Sequence, residues 1–146
     1  MPRLDAERIA LWRRLRVAVA HVDRGIDLQM EAEHGMSIRQ FEVLSALRGS
    51  VEPTRVHQLC ADLGDVASSL SRRLDRLEEA GWLKRHIGPT DVDGRAVTVT
   101  LTRQGRLVWR DANITFRREL QRHFAQSLTD TDIAALTRVL GKLSTG

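Results

Sequence analysis

The chain has 146 residues, with 23 basic against 19 acidic side chains and a net charge of +4, a length that suits one domain with its own hydrophobic core. Its single cysteine, Cys60, excludes an intramolecular disulfide framework and fits a reducing, cytoplasmic setting. The opening stretch MPRLDAERIALWRR is charged throughout and lacks the apolar core of a signal peptide, and no apolar run approaches the roughly 20 residues that span a bilayer.

The basic residues are nearly all arginine, since Lys84 and Lys142 are the only lysines. Guanidinium suits bidentate contact with phosphate and with guanine, so the composition tilts toward a nucleic-acid partner, although a G·C-rich coding sequence also raises arginine content.

In chain order, Leu4, Leu11, Leu15, Ala18, Val22 and Ile26 form one helical stripe flanked by Ile9, Trp12 and Val19. So broad an apolar face predicts a first helix with two packing partners, ended by Gly35. Ser37 with Gln40 is a capping box for a second helix, which turns Phe41, Leu44 and Leu47 inward and closes at Gly49. Pro53 and Thr54 open a short third helix, whose apolar side is Val56, Leu59, Cys60 and Leu63. Asp65 is placed to cap a fourth, running from about Val66 to Ala80 and terminated by Gly81. The third and fourth helices, joined by a tight glycine turn, make a helix-turn-helix.

The period then changes. WLKRHI and AVTVTL read as strands flanking GPTDVDGR, whose Asp93-Gly94 pair is a turn signal, so a β-hairpin wing is expected. A long fifth helix follows, with Leu107, Ile114, Phe124 and Leu128 along a face. Thr129 with Asp132 caps a sixth, which packs through Ile133, Leu136, Leu140 and Leu143. The expected fold is mainly α with a small β-hairpin wing, in the order α-α-α-α-β-β-α-α. Residues 37–101 form a winged-helix lobe, and 4–34 with 102–144 supply dimerisation helices. Apolar stripes at both chain ends predict an isologous homodimer.

On the fourth helix, Leu70, Leu74 and Leu77 project from one side, while Ser69, Arg72, Arg73 and Arg76 cluster about 115° away. Its N-terminal half, with Ser68, Ser69 and Ser71, is the part that a helix-turn-helix inserts into a major groove, where arginine reads guanine and serine bonds phosphates or base edges. The same face also fits a solvated surface. Segment 66–95 carries six basic and five acidic residues, so any DNA role rests on where the arginines point.

DGRAVTVTLTRQG, from Asp93 to Gly105, matches the pattern D-x-R, five residues, then L-T-x-x-G, and Ser71 through Arg85 fits S-x-x-L-x-x-L-x-x-x-G-W-L-x-R. In these motifs the chain resembles the MarR (multiple antibiotic resistance regulator) family of winged helix-turn-helix transcription regulators, over nearly its whole length. The resemblance implies a homodimer that binds double-stranded DNA at a pseudo-palindromic operator. It also implies that Arg95 enters the minor groove while Asp93 orients its guanidinium. A narrow minor groove concentrates negative potential, which favours arginine there. The family further implies a repressor that responds to a small aromatic or phenolic effector. Its urate-responsive members suggest Trp12, Asp65 and Arg110 as ligand contacts, against the plainer readings of core tryptophan, helix cap and solvated arginine.

Cys60 offers a redox sensor as an alternative, although a lone cysteine on an apolar helical face is more often a small core residue. A winged-helix protein-interaction module without DNA readout is the other. His57 and Cys60 could supply two metal ligands, but His21, His34, His86 and His123 add no ligand pattern. No metal site and no cofactor is expected. The chain carries no nucleophile elbow, glycine-rich phosphate loop or zinc-protease motif, so no enzyme is expected either.

Overall fold

A computed structural model of the chain describes residues 3–50, 52–88 and 96–145. Helix α1 spans Ala6–His34, with Asp5 accepting from the Arg8 amide at 2.9 Å and Gly35 closing it in the left-handed region at φ 62°. The Ser37 and Gln40 capping box opens α2, Ile38–Arg48, as expected. Its next amide, that of Ile38, donates to the Asp27 carboxylate of α1 at 2.8 Å, so an orphan N–H is used to fix one helix against the other.

The third helix departs from expectation. Thr54–Arg55 form a short strand, β1, and α3 is only Val56–Leu63. A hairpin alone would leave β3 an open edge. Pairing Thr54 with Val99 and Arg55 with Thr98 covers it, and that long-range gain outweighs the helix-start signal of Pro53. Helix α4, Ala67–Glu79, also starts later than expected. Val66 is its N-cap, and Asp65 lies outside the helix and uses its carboxylate elsewhere. Strands β2, Leu83–Gly88, and β3, Ala96–Leu101, pair antiparallel with Leu83 opposite Leu101. The sheet order is β1-β3-β2. Helix α5, Arg103–His123, ends in a 3-10 turn at Ala125–Ser127, and α6 runs Asp130–Ser144 from the expected Thr129 and Asp132 capping box.

The core lies beneath the winged-helix lobe. Leu70, Leu74 and Leu77 of α4 meet Phe41, Leu44 and Leu47 of α2, Leu59 of α3, and Leu83, Val99 and Leu101 of the sheet, while Ile26 and Met30 of α1 close it from behind. Phe41 packs against Phe116 with ring centroids 4.6 Å apart and stacks parallel to Trp109 at 6.4 Å. The Trp109 indole donates to Ser45 at 2.9 Å, as a half-buried polar ring tip requires.

Leu107 and Ile114 of α5, and Phe124 just past its end, are exposed in the single chain, while its buried residues are Gly105, set against Trp82, and Ala112, Thr115 and Glu119. The polar side chains there pair with one another, except that Glu119 Oε2 is buried without a hydrogen-bond partner. Thr115 donates to Glu33 at 2.6 Å, His34 bonds Thr115 at 2.7 Å, and Arg118 donates to Glu33 at 2.7 Å and to Glu119 at 3.0 Å. His123 lies 3.3 Å from Glu119, its ring where a side chain on Gly25 would otherwise stand. Leu4, ahead of α1, and Leu11, Trp12, Val17 and Val19 of α1 are exposed, as is α6 along its length.

Candidate nucleic-acid interface

Helix α4 carries the candidate reading face because its three leucines fix its rotation: with Leu70, Leu74 and Leu77 buried, Ser68, Ser69, Ser71, Arg72 and Arg76 are turned to solvent. Arg73 is not. The side-chain spacing groups it with the outer arginines, but it folds back onto Asp65, and the pair is almost buried, with side chains 13% and 9% exposed. Asp65 also accepts from the Val66 amide at 2.9 Å. The Arg73 hydrogen bond is the chief reason that its carboxyl sits below the usual Asp range, helped by the Val66 amide and the charge of Arg39. The two residues thus rivet the start of α4 to the turn before it.

A second set of ion pairs engages Asp75 and Glu78 of α4, leaving the exposed Glu79, at its C-terminal end, as the helix's one acidic residue without an ion pair among the described residues. Arg85 on β2 donates to Asp75 at 2.6 Å and to Glu78 at 3.0 and 3.2 Å, and the Arg85 amide donates to Glu78 at 2.8 Å. These bonds raise Arg85, and the Arg85 amide and guanidinium together hold Glu78 below its ordinary value. With Asp65, Asp75 and Glu78 each engaged, Arg72 and Arg76 are left without an ion pair among the described residues. The near-zero bulk charge of the segment therefore conceals a cationic outer face.

The joint between sheet and α5 accounts for the L-T-x-x-G motif. The Thr102 hydroxyl donates to the Gly81 carbonyl at 2.6 Å and accepts from the Gly105 amide at 3.0 Å, while the Thr102 amide donates to the Trp82 carbonyl at 3.1 Å. A Cβ on Gly105 would overlap that Trp82 oxygen and lie 2.8 Å from its carbon, so only glycine fits. The wing thereby springs from a pinned base. Asp93 and Arg95, and the Asp93-Gly94 turn with them, lie outside the described residues.

The candidate ligand contacts do not share one cavity in the single chain. A charged cleft of about 380 Å³ holds Asp65 together with Asp23, Arg39, Glu42, Asp62 and Arg73, and neither Trp12 nor Arg110 lines it. Burial and the nearby Asp23 carboxylate push Glu42 upward. Trp12 stands 57% exposed on α1, and the exposed Arg110 lies 3.5 Å from its neighbour Asp111. Cys60 is half-buried and donates to the Asp65 carbonyl at 2.9 Å. Two features escaped the sequence reading: the Asp65 to Arg73 rivet, and Arg39, which lines a groove of about 290 Å³ shared with Ser69, Arg72 and Arg76. A basic residue in the first turn of a helix was the available signal for Arg39.

Comparison with known proteins matches a MarR family model over residues 34–96. The HTH-type transcriptional regulator PecS of Dickeya dadantii (strain 3937) is 35% identical over 106 residues, covering 71% of this chain and 62% of PecS, so the chain spans less than two thirds of that relative. The multiple antibiotic resistance protein MarR of Salmonella typhimurium is 33% identical over 107 residues, or 71% of this chain and 70% of that one. A mutant MarR from Escherichia coli, solved in complex with operator DNA, superposes with a TM-score of 0.79 at 26% identity over 97% of this chain and 99% of its own. Together with the winged-helix architecture, these matches show that the chain belongs to the MarR family of transcription regulators.

Proposed function

We propose that the protein is a ligand-responsive repressor that binds a pseudo-palindromic operator in double-stranded DNA as a homodimer. The observation that carries this reading is the outer face of α4, where Ser68, Ser69, Ser71, Arg72 and Arg76 stand exposed while the nearby carboxylates Asp65, Asp75 and Glu78 are bound to other arginines. In that arrangement Arg72 and Arg76 read base edges in the major groove, the serines bond phosphates or base edges, and Arg73 positions the helix instead of touching DNA. Arg95, oriented by Asp93, enters the flanking minor groove, as the family resemblance implies.

Residues 37–101 form the DNA-binding lobe, and 4–34 with 102–144 the dimerisation helices. The exposed apolar residues of α1 and α6, among them Leu11, Val17, Leu140 and Leu143, support this division, because a soluble monomer rarely leaves such stripes bare. An aromatic or phenolic effector acting through Trp12, Asp65 and Arg110 would have to bring Trp12 and Arg110 to the Asp65 cleft in the dimer.

Selection of bound duplexes from a random library tests the reading. The wild type enriches a palindrome with half-sites about one helical turn apart. Arg95→Ala weakens binding to all duplexes, and Arg72→Ala or Arg76→Ala relaxes base preference. No enriched sequence, or unchanged binding in all three variants, overturns it.

A further inference from the structure

We propose that Arg39, at the start of α2, is a DNA-backbone contact that seats a phosphate beside the reading helix. The inference rests on the DNA-binding reading of α4 and adds a second element to its contact surface.

Arg39 shares one groove with the outer face of α4, with Ser37 and Gln40 on the α2 side and Ser69, Arg72 and Arg76 on the other. Arg73 borders it too but is paired with Asp65, so three of the groove's four guanidiniums are left without an ion pair among the described residues. None of Arg39, Arg72 and Arg76 makes an ion pair or a side-chain hydrogen bond among the described residues. Arg39 also borders the cleft that holds Asp23, Glu42, Asp62 and Asp65, yet it forms no ion pair with any of them, and Asp65 is committed to Arg73 and to the Val66 amide. Three like charges that share a groove repel one another in the free protein, and a polyanion lying along the groove relieves that repulsion.

The position of Arg39 on its helix points the same way. It is the second residue of α2, whose first turn holds no acidic side chain. A cation there opposes the positive end of the helix dipole. The helix start does not need it, because Gln40 and Ser37 cap each other and Asp27 takes the Ile38 amide. Nor does the core, because Arg39 is exposed. With α4 inserted in a major groove, a group on the neighbouring helix start faces the flanking strand, where a phosphate and not a base edge is within reach.

The test compares wild type, Arg39→Ala and Arg39→Lys on the selected duplex and on an unrelated duplex, each titrated with salt. Arg39→Ala should weaken both complexes by the same factor and reduce the slope of log K against log salt by about 0.9 per protomer, and Arg39→Lys should restore the slope. Melting temperatures measured alongside confirm folding, and Arg39→Gln takes the place of the alanine variant should that melt early. As a second measurement, neutral methylphosphonates are placed singly along the selected duplex. One position should weaken the wild type and leave Arg39→Ala unaffected. An unchanged salt slope, or a loss confined to the selected duplex, overturns the assignment while leaving DNA binding itself standing. If the wild type shows no salt-dependent duplex binding, the reading beneath it fails instead.

Discussion

Gly105→Ala puts a methyl group into the carbonyl of Trp82, 2.8 Å from its carbon, where contacts of that kind ordinarily begin at about 3.4 Å or more. Both partners are backbone, so neither rotates away, and α5 must lift off the base of the wing. Overpacking of this sort costs about 1–3 kcal/mol. Lifting the helix also strains the bonds from Thr102 to Gly81 and Trp82, and losing one adds about 1 kcal/mol. The sum, about 2–4 kcal/mol, corresponds to a drop in Tm of roughly 5–15 °C for a chain of this size. The assay is thermal unfolding followed by circular dichroism at fixed protein concentration, because a dimer's Tm depends on concentration. Gly49→Ala is the internal control: its φ is −75° and an added Cβ meets nothing closer than 3.8 Å, so it should hold or slightly raise Tm. A Gly105→Ala protein that melts within about 2 °C of wild type would show that the joint yields freely, and would refute the account of the motif.

Further outcomes follow from other contacts. Phe41→Ala, which empties the space between Phe116 and Trp109, should cost about 3–5 kcal/mol in urea unfolding; a loss below about 1 kcal/mol would contradict its place in the core. Because the Asp65 carboxyl is held below its ordinary value, its contribution to stability is full above about pH 4 and is lost as pH falls through the folded value. Asp65→Asn should therefore lower Tm at neutral pH and flatten its fall on acidification, and a Tm profile parallel to wild type would remove the rivet from the account. Leu140→Glu, on the exposed stripe of α6, should convert the proposed dimer to monomer in light scattering, whereas an unaltered mass would place the interface elsewhere.

Local chemistry was legible in the sequence. Ser37 with Gln40, Thr129 with Asp132 and the left-handed Gly35 mark helix ends through bonds made within a few residues, and each boundary stands where that chemistry puts it. Tertiary choices were not. Two residues, Thr54 and Arg55, leave a helix signal to cover a sheet edge more than forty positions away. Arg73 has the helical spacing of an outer residue, yet a carboxylate eight positions earlier draws it inward. On α5 the inward stripe is Val108, Trp109, Ala112, Phe116 and Leu120, whereas spacing picked out Leu107 and Ile114, which the single chain leaves exposed. Of the candidate site, the leucine-anchored rotation of α4 could be read from spacing, whereas the charge pairing that frees Arg72 and Arg76 required the fold.

The joint at Thr102 and Gly105 also has a mechanical meaning. Because it couples the wing base to a helix of 21 residues, α5 acts as a lever about 32 Å long at about 1.5 Å per residue. In the proposed dimer, a tilt of about 5° at its far end displaces the attached lobe by about 3 Å, a useful fraction of the roughly 34 Å repeat between successive major grooves. Tightness at one glycine thus lets a small rearrangement among the dimer helices emerge, undamped, as a change in the distance between two reading heads.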